Sequence, residues 1–253
     1  MGFSYKQWVG PFYPDGLNTR FHLAYYAERF NALEIDSTFY GTPKPSTVQR
    51  WHDVTPQEFK ICPKMPRVIT HEARLVEVEA LTGEFLDRMR LLKEKLGAIL
   101  IQFPPDFSQA EMSQLIHFLP MLPDDLRFAV EFRHPSWNKP ETAVLQEAHN
   151  ICWTSADTVY LPRQITPTTD FLYLRFIGPH GRFANKDRTQ IDRTADLEQW
   201  WQALQPHLQN IQVVYAFFNN DYEGFSPATC NRFKRIIGLE PDEIRPMQQG
   251  RLF

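Results

Sequence analysis

The sequence predicts an α/β protein built as a parallel (β/α) barrel of the TIM type, with its first strand short or missing at the N-terminus. Three observations point there. Short apolar runs alternate with helical stretches along the whole chain, and repeated strand–helix–strand order gives a parallel sheet with helices packed outside. A length of 253 residues suits the closed eightfold arrangement, with a doubly wound open sheet as the second choice. Polar residues gather late in the strand candidates, at the ends where such barrels carry their sites.

In chain order, Phe21, Leu23, Ala24, Ala27 and Phe30 share one helical face. Seven strand candidates follow, at 32–36, 59–62, 97–103, 127–132, 150–154, 171–176 and 213–218, each an apolar run of strand length. Ser46 with Gln49, and Ser108 with Glu111, have capping-box spacing, in which each side chain satisfies an orphan amide at a helix start. Residues 194–208 read as a helix burying Leu197, Trp201 and Leu204, and Ser226-Pro227 opens another. The stretch after Thr154, through Pro162 and Pro167, lacks helical periodicity and reads as a loop. No linker or internal repeat divides the chain, which gives one domain over residues 1–240 and a flexible tail over 241–253.

Composition excludes several classes. Lys plus Arg is 27 and Asp plus Glu is 30, a net charge of −3, without the basic excess of a protein that coats duplex nucleic acid. No apolar run approaches the roughly 18 to 20 residues that span a bilayer. The start at Met1 has no signal-peptide core. Cys62, Cys152 and Cys230 are odd in number and far apart, which argues against a disulfide scaffold and for a reducing cytoplasm.

Strand alternation assigns the polar residues. With Phe128, Val130 and Phe132 turned to the helices, Ala129, Glu131 and Arg133 turn inward. The same reasoning turns Glu34, Asp36, Lys60, Lys64, Gln102, Asp157, Arg175 and Asn219 or Asn220 inward or onto the rim. Unpaired buried charges cost several kcal/mol each, so these groups pair with one another or with a ligand. The structural reading is an ion-pair network in which Lys64, Arg133 and Arg175 neutralise Glu34, Glu131 and Asp157. The functional reading makes Glu131, Asp157, His134 and Glu34 the catalytic acid–base candidates. Lys64, Arg133, Arg175, Gln102, Tyr40, Asn219 and Asn220 then bind an anionic substrate. Tyr5, Trp8, Tyr13, Phe39, Tyr40 and Trp137 are rings that stack on a ligand or, more plainly, pack. Asp, Glu and His also make an oxygen-rich metal centre, but no His-x-His or His-x-x-x-His spacing supports a divalent metal. Nucleotide-binding glycine loops and a Gly-x-Ser-x-Gly elbow are absent.

These residues fall in strings that resemble the domain-of-unknown-function 72, or YecE-like, family. The matching strings are Trp8-Val-Gly-Pro-Phe-Tyr13-Pro14, Glu34-Ile-Asp-Ser-Thr38-Phe39-Tyr40, Phe59-Lys-Ile-Cys-Pro-Lys64-Met-Pro and Gln102-Phe-Pro. Further on come Glu131-Phe-Arg133-His134-Pro-Ser-Trp137, Asp157, Tyr173-Leu-Arg175 and Phe218-Asn219-Asn220. They span nearly the whole chain in the family's order. The resemblance implies a TIM-type barrel and supplies no reaction. Two departures stand out: Ile177 occupies a position where many members carry histidine, and the Gly-Thr-Ser-Gly-Trp string of a first strand is absent. The second departure raises the expectation that the start site lies further upstream.

The chain ends Gln249-Gly250-Arg251-Leu252-Phe253. Gln249, Leu252 and Phe253 are similar to the peptide with which bacterial replication and repair proteins dock on the DNA sliding clamp, where Leu and Phe fill an apolar pocket. Three functions follow as expectations. The first is an enzyme of unassigned hydrolase- or lyase-type chemistry on a small anionic substrate. The second is a clamp-associated nucleic-acid processing factor, and the third a non-catalytic ligand-binding barrel.

Overall fold

The computed structural model describes residues 1–241. Eight short parallel strands alternate with helices: β1 (Ala32–Ile35), β2 (Lys60–Pro63), β3 (Ile99–Gln102), β4 (Phe128–Glu131), β5 (Ile151–Trp153), β6 (Ser155–Asp157), β7 (Phe171–Phe176) and β8 (Val213–Phe218). The helices are α1 (His22–Ala27), α2 (Pro45–Asp53), α3 (Glu79–Met89), α4 (Met112–Phe118), α5 (Pro140–Ala148), α6 (Thr194–Leu204), α7 (Asn220–Glu223) and α8 (Ser226–Ile236).

The strands do not close into a TIM barrel. They form three separate parallel sheets, β1-β2, β3-β4-β5 and β6-β7-β8, so the fold is mixed α/β, and the expectation of a closed barrel with a defective first strand is corrected. The physical reason lies in the backbone groups at the seams. Between β2 and β3 only the isolated bridges Ile61–Leu96 and Lys64–Leu100 form; Pro63, at the end of β2, has no amide to give. Between β5 and β7 a side chain replaces the ladder: Thr168 Oγ1 accepts from Trp153 N at 2.8 Å and donates to Ile151 O at 2.6 Å. At the third seam Met1 N donates to Phe218 O and Gly2 N to Glu34 O, so residues 1 and 2 lie between the ends of β8 and β1.

Each strand residue serves one of two cores. Phe128 and Val130 face the helices within a large cluster, while Ala129 joins Cys62, Leu100, Cys152, Tyr173 and Phe217 in an inner cluster between the sheets. Ser108 and Glu111 make the expected capping box, with Oγ accepting from Ala110 N and Glu111 Oε2 from Ser108 N. Ser46 does not cap: α2 starts one residue earlier, at Pro45. Ser226 does not cap either, its own amide being bound by Asn220 Oδ1 at 3.0 Å. In α6 Leu197 and Leu204 are buried as expected, but the buried tryptophan is Trp200, not Trp201. No helix among the described residues is long and apolar enough to cross a membrane.

Candidate functional site

Over the inner apolar cluster, at the carboxyl ends of the strands, lies a layer of charge. Glu34 comes from β1, Glu131 from β4 and Arg175 from β7, all essentially buried. Arg175 Nε and Nη2 donate to the two oxygens of Glu34, at 2.9 and 2.7 Å, and Nη1 donates to Glu131 Oε2. Tyr173 OH donates to Glu34 Oε2 at 2.7 Å, and Arg133 Nε to Glu131 Oε1 at 2.7 Å. Two carboxylates and two guanidiniums therefore balance. Burial pushes the Glu131 carboxyl up, but Arg175 and Arg133 outweigh it and hold it down at about 2. Both carboxylates are fully engaged as acceptors for these cations.

A cavity of about 400 Å³ elsewhere is apolar, between α8, β8 and α1. The polar cavity, about 610 Å³, opens directly above the charged layer. Lys64, Arg67, His71, Gln102, Arg133, Arg175, Asn219, Tyr5, Phe39, Tyr40 and Asp36 line it, with the 158–160 and 177–180 loops. Lys64 directly follows β2, and its backbone is clamped: its N–H is bonded by Ile35 O and Thr38 Oγ1, and its carbonyl accepts from Thr38 Oγ1. The side chain is 8% exposed and its Nζ sits 3.9 Å from the centroid of Phe39. Burial, then repulsion from Arg175, brings its ammonium down to about 8. Burial first and the Glu34 carboxylate next push Asp36 up. His71 falls to about 4 through burial and the charges of Lys64 and Arg133, so it is neutral at pH 7. Its Nε2 lies 3.4 Å from Gln102 Nε2, and Gln102 also donates to Phe103 O. Across the cavity Asp221 is paired with Lys186 at 3.5 Å, and the 177–180 loop fits against it only because Gly178 is glycine. A Cβ there would meet Asp221 O at 2.3 Å.

The sequence-predicted residues thus divide. Glu34, Glu131, Lys64, Arg133, Arg175, Gln102, Tyr40 and Asn219 gather at this layer and its cavity. Asp157 does not join them. It turns toward α6, accepting from Trp200 Nε1 at 3.0 Å and Tyr222 OH at 2.9 Å, with Arg163 and Arg193 beside it. His134 is bonded to Ser136 at a helical turn, and Asn220 is held by Ser226. Trp8, Tyr13 and Trp137 pack inside, Trp137 in a stack with Phe107 and Phe132. Gln249, Leu252 and Phe253 lie outside the described residues. Sequence reasoning passed over Arg67, His71, Lys186 and Asp221 as site residues; the signal for the first was its place three residues after Lys64 in the post-strand loop. Among the described residues no three His, Cys, Asp or Glu side chains come together as a metal-holding group.

The family model described as Protein of unknown function DUF72 matches residues 1–251. The chain is 30% identical over 208 residues to UPF0759 protein YecE of Escherichia coli (strain K12), covering 72% of this chain and 76% of that protein. It is 23% identical over 264 residues to UPF0759 protein YunF of Bacillus subtilis (strain 168), covering 93% of each. A solved DUF72 family protein of Thermotoga maritima MSB8 superposes with a TM-score of 0.79 at 26% identity, over 93% of this chain and 96% of that one. A second, from Enterococcus faecalis V583, gives a TM-score of 0.75 at 24% identity over 89% and 91%, a likeness of fold alone.

Proposed function

The chain belongs to the DUF72 family, whose description names no reaction, and from its own side chains we propose an enzyme that binds a small anionic substrate in the polar cavity. One observation carries the reading. The charges beneath the cavity cancel, yet Lys64 Nζ and the outer nitrogens of Arg133 face the cavity with no ion pair or hydrogen bond among the described residues. A guanidinium fork with its Nε already anchored is a pre-oriented bidentate donor for a carboxylate or phosphate.

Proton transfer falls to Lys64 and Asp36. One is lowered and the other raised, which brings both toward neutrality, where acid–base groups are most effective. Glu34 and Glu131 serve as positioning residues that fix Arg175 and Arg133.

Titration calorimetry with phosphate, sulfate and lactate at constant ionic strength tests the reading. Arg133→Met removes charge-assisted hydrogen bonds worth about 1.5–3 kcal/mol, so affinity should fall roughly 10- to 100-fold. Binding that is absent in the wild type up to millimolar anion, or unchanged in the variant, sinks it.

A further inference from the structure

Two buried lysines in this protein have opposite surroundings. Lys95, 5% exposed, gives its ammonium to two carbonyls, His52 O and Thr55 O. That is what a structural lysine does, since a buried cation without acceptors costs several kcal/mol. Lys64, 8% exposed, gives its ammonium to no acceptor among the described residues. Its contacts are the face of Phe39 and the open cavity, with Arg175 and Arg133 as neighbouring positive charges and the Asp36 and Glu131 carboxyls as the opposing ones, which burial and the two guanidiniums outweigh. Burial and a like charge are the two features that turn a lysine into a nucleophilic amine, and here they act against the attraction of the Phe39 ring for the ammonium. The backbone on both sides is fixed by Thr38 and Leu100, so the amine is also held in place.

We propose that Lys64 is a nucleophile and that the substrate is an oxo-acid, a compound with an aldehyde or ketone beside its carboxylate or phosphate, which Lys64 captures as a protonated imine. The proposal rests on reading the cavity as an anion site, with the Arg133 fork holding the acidic group. In the step, the neutral amine adds to the carbonyl carbon, and the C=O electron pair moves to oxygen, which takes up the proton lost from nitrogen. The Asp36 carboxyl relays to the hydroxyl of this carbinolamine the proton that the Lys64 ammonium gives up on becoming the free amine, so the hydroxyl leaves as water and the nitrogen lone pair closes the C=N⁺ bond. One water leaves for each imine formed, and no oxidant or reductant enters. At pH 7.5 a group titrating at about 8 is about a quarter free amine, against roughly 0.1% for an exposed lysine.

The experiment is reductive trapping of the full-length wild-type protein with pyruvate and cyanoborohydride at pH 7.5, followed by peptide mass spectrometry. Hydride fixes the imine as a secondary amine, adding the mass of pyruvic acid less one oxygen. Lys64 should be labelled at least about tenfold faster than any other lysine. Its rate should rise with a midpoint near pH 8, phosphate should suppress it, and acetone should label it far more slowly. Labelling spread evenly over the lysines overturns the proposal. If lactate binds in calorimetry while pyruvate leaves Lys64 unmodified, the imine falls and the anion site stands. If acetone labels Lys64 as fast as pyruvate, the nucleophile stands and the anion site falls. Asp36→Asn, checked for wild-type unfolding, should slow trapping about tenfold by removing the proton donor; an unchanged rate removes Asp36 from the step.

Discussion

Glu131→Gln is the perturbation whose size the structure fixes most directly. The carboxylate is 1% exposed and accepts from both Arg175 and Arg133. Its folded-state value of about 2 against an ordinary 4.5 corresponds to roughly 3 kcal/mol of stability at pH 7, at about 1.4 kcal/mol per unit. A depressed carboxyl contributes this stability in full above 4.5 and loses it as pH falls toward 2. By linkage, about a quarter of it has gone by pH 4 and more than half by pH 3. Glutamine keeps the shape and cannot ionise, so its stability carries none of this dependence. Urea unfolding of both proteins at pH 7, 4 and 3 should give equal slopes and a gap near 3 kcal/mol that narrows along that curve. A gap below about 1 kcal/mol at pH 7, or one that does not narrow in acid, would refute the claim that this ion cluster carries a net benefit.

Three other perturbations test separate parts of the structure. Lys64→Met should stabilise the protein at pH 7 by about 3 kcal/mol, because the folded state holds this ammonium against its preference. Its folded value lies below the unfolded one, so the wild type gains stability as pH rises from 8 to 10.5 and the advantage of methionine should vanish there; thermal melts at pH 7 and 10 read it. Trp137→Ala opens a cavity in the Phe107–Trp137–Phe132 stack and should cost about 3–5 kcal/mol, whereas Trp137→Phe loses the hydrogen bond to Phe107 O and should cost about 1–2 kcal/mol in urea unfolding. Asp157→Ala strands the Trp200 and Tyr222 donors and should cost about 3 kcal/mol. Because Asp157 lies apart from the Lys64 cavity, calorimetry should find anion binding in that variant unchanged.

The strand positions were legible because each has an apolar run, and β6 was not because Ser155-Ala156-Asp157 has none. Its extended form comes from pairing with β7, a tertiary effect invisible to a local pattern. The same blind spot misdirected Asp157. Alternation carried through Thr154 turns it inward, but the chain leaves the β4 ladder at Thr154, and Asp157 ends up under Trp200. Barrel closure failed for a related reason. Periodicity reports which face of a strand is apolar, whereas closure depends on where its edge amides go, and the hydroxyl of Thr168 that takes the Trp153 amide leaves no trace in the pattern.

The polar residues show how far such reasoning reaches. Glu34, Glu131, Arg133 and Arg175 could be named as inward charges that must be neutralised, and the structure neutralises them with one another across separations of 44 and 141 residues. The structural reading of the sequence counted Lys64 among the neutralising cations, and the geometry leaves it out. A complete four-charge network has no electrostatic need of a fifth member, so the presence of a buried ammonium beside it lowers stability without serving the fold. A side chain that costs stability where methionine would fit is best explained by what it does to a ligand, which is why the stability and trapping experiments on Lys64 belong together. If Lys64→Met is less stable than the wild type at pH 7, the lysine is structural after all and the argument for a reactive amine loses its physical basis.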